Sequence, residues 1–338
     1  MTNQKKRLII IDSNSVIHRA YHALPRLATK SGELVNAIYG FLLVFLKAIK
    51  EFNPDYIVAV FDVPVPTFRH DKYIRYKAKR PKAPEELYKQ IPKVKELLKD
   101  FNIPVFEKPG YEADDLVGTI SQEYVKKQAL PEPEVVILSG DTDVLQLVDK
   151  NIKAYILRKG VKDTVLYDEE MIKQKYDGLV PGQLEDYKAL RGDPTDNIPG
   201  ATGIGEKTAL ELIKGFHDLE NLYKELEENS EKAKKVKEKV KEILLSQKEQ
   251  IYLSKFLVQI KRDVPIEFVL KQSNWREYDR ANVTEVLKGY EFFSLISRLP
   301  VPNEQEETMI EVRPRKSLIS KKEFRRNAGQ FKNNLKLW

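Results

Sequence analysis

The chain has 338 residues, room for about two ordinary domains, and 41% of them are hydrophobic, enough for a packed core. It has no cysteine, which excludes disulfides, cysteine nucleophiles, iron–sulfur clusters and cysteine-ligated zinc, and no apolar run reaches the length of a membrane span. Lys and Arg total 58 against 51 Asp and Glu, a net charge of +7 that suits a nucleic-acid partner without requiring one.

Lys5, Lys6 and Arg7 precede only four apolar residues before Asp12, too few for a signal peptide, so a cytoplasmic protein is expected. Three short runs rich in β-branched residues read as buried strands of a parallel sheet. They are Leu8–Ile11 stopping at Asp12, Tyr56–Phe61 stopping at Asp62, and Val135–Leu138 leading through Ser139 and Gly140 to Asp141. Helical stretches at Val35–Glu51 and Asp114–Lys127 lie between them, which makes the first half a βα-repeating domain. Ile152–Leu157 and Thr164–Tyr167 add strands at its edge. Beyond about residue 180 the pattern turns helical, broken at Gly192–Pro194 and Pro199–Gly205. Glu231–Glu242 holds six lysines and three glutamates and reads as a solvated helix face rather than a DNA contact. Residues 301–338 carry nine Lys and Arg against five Glu with few apolar residues, the composition of a basic, mobile tail.

Ligands of an open parallel sheet bind beyond the C-terminal ends of its strands. Asp12, Asp62 and Asp141 each stand at such an end. Asp143 follows Asp141 by two residues, so on extended backbone both side chains point the same way. Glu112, Asp114 and Asp115 open a helical pattern, where the helix dipole favours acids. Asp193 and Asp196 lie in the loop Arg191–Pro199. Any one of these reads as a turn or cap residue; together they repel unless a cation neutralises them. Hard oxygen ligands point to Mg²⁺ or Mn²⁺. Such clusters suit phosphodiester hydrolysis with two metal ions, one activating water and one neutralising the leaving oxygen. His18 and His22 are four apart, but Arg19 replaces the glutamate of a zinc HExxH motif, so they read as ordinary helix residues.

Phe68–Arg80 carries Arg69, Lys72, Arg75, Lys77, Lys79 and Arg80 against the single acid Asp71. It follows the Asp62 strand directly and should overhang the acidic edge. Tyr73 and Tyr76 could stack on bases while the cations hold phosphates. Gly200–Thr208 is glycine-rich, but Glu206 separates Gly205 from Lys207 and no strand precedes it, so it fails as a P-loop. A helix–hairpin–helix turn fits better, with Gly203 and Gly205 admitting a DNA phosphate to backbone amides beside Lys207 and Thr208.

With these motifs in place, the chain resembles the 5′-nuclease domain of bacterial DNA polymerase I, in the flap-endonuclease family. The matching strings include Asp12–Arg19, Val60–Asp62, Phe68–His70, Tyr76–Pro81, Gly110–Asp115, Leu138–Asp143, Gly192–Gly200, Gly203–Ala209 and Tyr290–Leu295, spanning roughly residues 7–300. The resemblance implies an α/β fold. Its mostly parallel, PIN-like and Rossmann-like nuclease core (1–180) carries a helical arch at about 64–100. A helical domain (181–300) with a helix–hairpin–helix, or helix-3-turn-helix, motif follows. It implies cleavage of branched, nicked or 5′-flapped DNA and of RNA–DNA hybrids, by a monomer that works with a DNA polymerase. By position, Asp12, Asp62, Glu112, Asp114 and Asp115 would serve one Mg²⁺ site, and Asp141, Asp143, Asp193 and Asp196 a second. Lys77 and Arg80 would steer the scissile phosphate, with Arg19 as a further cation and Tyr76 as a stacking residue. Arg69, Lys72, Arg75 and Lys79 would hold DNA, and the Gly203–Thr208 turn would grip duplex and hold K⁺. The departures are small: Ser13 stands where glycine is common and Thr142 where lysine is frequent. The resemblance fits a free-standing nuclease and the first part of a longer polymerase equally. The rivals are a PIN-like ribonuclease, against which the hairpin and basic segment argue, and a non-catalytic branched-DNA binding protein, against which the complete carboxylate set argues.

Overall fold

The computed structural model describes residues 6–127 and 133–302. Its centre is a six-stranded sheet: β1 (Arg7–Asp12), β2 (Tyr56–Val60), β3 (Val105–Phe106), β4 (Glu134–Ser139), β5 (Ile152–Leu157) and β6 (Thr164–Tyr167). The spatial order is β3-β2-β1-β4-β5-β6, and every neighbouring pair is parallel except β5 with β6. This is the expected mostly parallel sheet, with one addition. The two-residue strand β3 is too short to leave a pattern in the sequence.

Strand alternation sorts the apolar residues between two cores. Ile9, Ile11, Ile57, Ala59, Val136 and Leu138 pack with helices Ser13–Ala23, Asn36–Phe52 and Ile91–Asp100. Leu8, Ile10, Val58, Val60, Val135 and Ile137 pack with helix Ala113–Lys127. Burial on both faces is why these strands read as unbroken apolar runs. Gly40 lets the first two helices touch: a Cβ there would stand 2.7 Å from Ala20 Cβ and 2.9 Å from Leu24 Cδ1.

The helical half divides. Residues from Leu179 to Ile251 surround a core of their own. The chain then returns to the sheet, where Ile260, Val264 and Phe268 join the core under helix Ala113–Lys127. Trp275, Tyr278, Val283, Leu287, Leu295 and Leu299 complete the opposite core, and Trp275 Nε1 donates to Pro54 O at 3.1 Å. The stretch 181–300 is therefore not one helical body; its last third covers the α/β sheet.

The segment expected as a helical arch is helical only at Phe68–Lys72, Glu85–Tyr88 and Ile91–Asp100. Turns fill Ile74–Lys79, and Pro81 and Pro84 prevent one helix from running through. The basic tail expected at 301–338 lies outside the described residues apart from Val301 and Pro302. No helix among the described residues is long and apolar enough to cross a membrane.

In an exposed helix, replacing glycine by alanine gains roughly 1 kcal/mol. Gly40→Ala is expected to reverse that sign, because overpacking of about 2 kcal/mol outweighs the gain. Urea unfolding of the variant beside the parent protein checks it; a raised midpoint would show that the two helices can part at no cost.

Candidate active site

Strand register brings the acids together. Asp12 lies opposite Val60 and Ile11 opposite Leu138, so β2, β1 and β4 end flush where the strand order reverses. Asp12 caps helix Ser13–Ala23, accepting from Ser15 N at 3.3 Å, and takes a 2.6 Å hydrogen bond from Ser139 Oγ at the end of β4. Asp62 accepts from Ala113 N at 2.8 Å, which docks the start of helix Ala113–Lys127, with Asp114 and Asp115, onto the same edge. Asp141 accepts from Asp143 N at 3.0 Å. Asp12, Asp62, Glu112, Asp114, Asp141, Asp143 and Asp196 line one cavity of about 350 Å³. Asp193 lies in an adjoining cavity that shares Asp141, Asp143, Asp196 and Arg80.

Five of the nine acids have an internal cation. Arg69 grips Asp115 with two parallel bonds of 2.7 and 2.8 Å, while Glu112 N (3.1 Å) and Lys261 N (2.8 Å) take the other lone pairs. Arg69 is 2% exposed and Asp115 fully buried. Asp115 thus has no lone pair free for a metal, and Arg69 does not face DNA; both expectations give way to a scaffold pair. Glu112 accepts from Lys77 Nζ at 2.8 Å and from Tyr76 OH at 3.0 Å. Its burial is outweighed by Lys77 and Arg69, which hold its carboxyl below the usual range. Asp196 accepts from Arg80 Nε at 3.0 Å. Lys188 bonds both Asp143 and, at 3.2 Å, Asp193. Lys188 outweighs burial at Asp193 and lowers it.

The other four have none that closes on them. Burial raises Asp12 against its serine bonds. Asp114 is pushed well up by burial and then by Asp12, Asp141 and Asp143, and Asp141 is raised by burial and by Asp143. Asp62 keeps solvent contact on its open side, yet the protein around it, with Asp12 and Glu112, pushes its carboxyl up to about 6. Among the described residues, no three carboxylate or imidazole side chains stand close enough together to hold a metal ion as they are placed. What they present is an all-oxygen donor set with unneutralised charge, the chemistry a hard divalent cation fits.

The basic segment folds into this cavity instead of standing over it. Tyr76, expected to stack on bases, is 3% exposed and bonds Glu112 and, at 3.4 Å, Asp196. Lys72, Arg75 and Lys79 are exposed around it. Arg19 lines the cavity and donates to Gly140 O at 2.7 Å. The hairpin stands apart from the cavity. Gly203 has φ +100°, Gly205 caps helix Glu206–Phe216, and Gly203, Gly205 and Lys207 are exposed, with Thr208 half-buried. Sequence reasoning missed Lys188, whose role depends on folding across from Asp143. It also set aside His18 and His22, both on the cavity wall; burial and His22 lower the His18 imidazole.

Residues 7–177 match the 5′-3′ exonuclease N-terminal resolvase-like domain, and residues 179–281 the 5′-3′ exonuclease C-terminal SAM fold. The chain belongs to the 5′-3′ exonuclease family. It is 38% identical over 294 residues to the 5′-3′ exonuclease of Aquifex aeolicus, covering 87% of this chain and 95% of that one. It is 41% identical over 295 residues to DNA polymerase I of Caldicellulosiruptor bescii, covering 87% of this chain and 33% of the relative. The chain spans about a third of the length of the DNA polymerase I relatives it matches. A bacteriophage T5 flap endonuclease, solved with DNA and metal ions, shares the fold at a TM-score of 0.61 and 18% identity, covering 84% of this chain and 96% of that one.

Two substitutions should separate the paired acids from the unpaired ones. Arg69→Gln leaves Asp115 buried without its cation and is expected to lose about 3–5 kcal/mol of stability. Asp114→Asn removes one of several repelling charges and should raise the melting temperature of metal-free protein. Thermal melts in EDTA read both; a lowered midpoint for Asp114→Asn would mean that this carboxylate already has a favourable partner.

Proposed function

We propose that the chain is a structure-specific 5′-nuclease acting at 5′ ends and 5′ flaps of branched or nicked DNA and at RNA primers in RNA–DNA hybrids. The observation that carries this reading is the set Asp12, Asp62, Asp114 and Asp141. They come from three strand ends and one helix start into a single cavity, without closed internal ion pairs, beside Arg19, Lys77 and Arg80. Mg²⁺ is the cation this donor set suits, with Mn²⁺ as a substitute. Asp12, Asp62, Asp114 and Asp141 would hold such ions, whose chemistry would be to lower the pKa of a water and to neutralise the oxygen that leaves.

The chain's own side chains do the positioning. Lys77 and Arg80, now on Glu112 and Asp196, are the donors a scissile phosphate would recruit, and they stabilise the charge that develops on it. Arg19, tied to Gly140, presents a further cation to the same cavity. Lys188 keeps Asp143 and Asp193 together as the edge of a second metal site. Lys72, Arg75 and Lys79 hold the strand outside the cavity. The Gly203–Thr208 turn offers backbone amides and Lys207 to duplex phosphates without reading bases, and K⁺ would sit at the same turn. Residues 1–180, joined by Lys188, Asp193 and Asp196, would carry the chemistry, and the hairpin-bearing part of 181–300 most of the grip. A monomer suffices for both, and the polymerase relatives make a DNA polymerase the natural partner in the cytoplasm.

A labelled 5′-flap duplex tests the reading. Cleavage should require Mg²⁺ or Mn²⁺, stop in EDTA, and fall by about 100-fold or more in Asp141→Asn. Cleavage that persists in EDTA would end the metal-dependent reading; tight flap binding with no cleavage under any divalent ion would favour a binding protein. Lys77→Ala is expected to slow single-turnover cleavage by about 100-fold while weakening duplex binding by less than tenfold. Equal losses would make Lys77 a phosphate anchor only.

A further inference from the structure

The lysine-rich stretch Glu231–Glu242 is not absorbed by the site. In the structure it forms the short helix Glu231–Lys234, a turn, and the start of helix Glu238–Ser246. Lys234 pairs with Glu231 and Lys241 with Glu238, whereas Lys235, Lys237 and Lys239 are exposed and have no ion pair among the described residues.

Helix Glu238–Ser246, which carries Lys239 and is entered through the turn holding Lys235 and Lys237, braces the hairpin turn directly. Ile243 covers Gly203, where a Cβ would come within 2.9 Å of Ile243 Cδ1. Gln247, which ends the helix, clasps the turn by both ends of its amide: Thr202 N donates to Oε1 at 2.8 Å and Nε2 donates to Thr202 O at 3.0 Å. Lys239, Ile243 and Gln247 follow each other at intervals of four, so they share one helix face. Two of the three touch the hairpin, which places Lys239 on that face one turn further on, about 6 Å along the axis. Phosphates of one DNA strand recur about every 3.4 Å of duplex axis. A flexible lysine at that offset reaches the phosphates next to the one held by the hairpin.

We propose that Lys235, Lys237 and Lys239 extend the hairpin's grip into a second, sequence-independent contact with the phosphate backbone of duplex DNA. This rests on the nuclease reading and adds a surface to it. The expectation of a merely solvated face changes because Lys239, which has no ion pair among the described residues, shares a face with the residues that hold the hairpin, and Lys235 and Lys237 lie exposed in the turn directly before that helix.

The test is the salt dependence of full-chain binding to a blunt DNA duplex in EDTA. Each lost phosphate contact lowers the slope of log Kd against log salt by about 0.9. The triple variant Lys235→Gln, Lys237→Gln, Lys239→Gln should lower it by about 2 to 3, and the matching Lys→Arg triple should restore it. A charge-matched control, Lys99→Gln with Lys173→Gln and Lys271→Gln on the α/β body, should leave the slope within 1 of the parent. Lys207→Gln in the hairpin should lower it by about 1. If Lys207→Gln lowers the slope and the Gln triple does not, this surface is refuted and the nuclease reading stands. A control triple that falls as far as the test triple refutes it too, as a pure net-charge effect. A parent protein with no salt-dependent duplex binding would remove the nuclease reading itself.

Discussion

Negative charge concentrated at one edge of a parallel sheet is the constraint on which the rest of the structure depends. Flush strand ends deliver Asp12, Asp62 and Asp141 to the point where strand order reverses, and helix Ala113–Lys127 delivers Asp114 beside them. Unneutralised carboxylates in a buried cavity oppose folding. The chain meets this by placing Arg69, Lys77, Arg80 and Lys188 on five of the acids and leaving Asp12, Asp62, Asp114 and Asp141 without an ion pair that closes on them. Under the proposed function the division has a consequence: a site fully neutralised by its own arginines and lysines would have no affinity left for a metal.

The same reasoning accounts for the shape of the basic segment. Lys77 has φ +54°, a left-handed conformation that costs a non-glycine residue roughly 1–2 kcal/mol. Two contacts hold it there, its N–H on Asp196 O at 2.9 Å and its Nζ on Glu112. Burial of Tyr76 against Ile198, Leu257 and Val258 adds an apolar anchor. The cations proposed to meet a phosphate are thus seated on carboxylates in this structure. Phosphate and acid compete for the same donors, so the seated segment and the proposed working segment are two uses of one set of charges.

What could be read in advance follows physical locality. β1, β2 and β4 were legible because strands buried on both faces must be continuous apolar runs, and Asp12, Asp62 and Asp141 because they stop those runs. Which acids stay free was not legible. That depends on Arg69 meeting Asp115 across 46 residues and Lys188 meeting Asp143 across 45, pairings set by tertiary packing alone. The seven charged residues of Phe68–Arg80 look like a solvated surface from sequence, since nothing local marks Arg69 and Tyr76 as buried. Likewise the return of Trp275–Leu299 to the sheet is a long-range event that a change from strands to helices near residue 180 conceals.

The buried Arg69–Asp115 pair also fixes a distance. Arg69 donates to Leu257 O at 2.9 Å and Gln259 O at 2.7 Å, and Asp115 accepts from Lys261 N. Gln146, beside the Asp141–Asp143 turn, donates to Val258 O and accepts from Ile260 N, each at 3.0 Å. These residues continue helix Lys248–Val258, whose Gln250 and Ser254 hold Gly200 at the base of the hairpin. A hydrogen-bonded strut therefore runs from hairpin to acids. Buried ion pairs add little net stability, so their use here is geometric. With grip and chemistry held at a set separation, the enzyme proposed above would select its bond by distance along the duplex, which is what recognition of DNA structure instead of sequence demands.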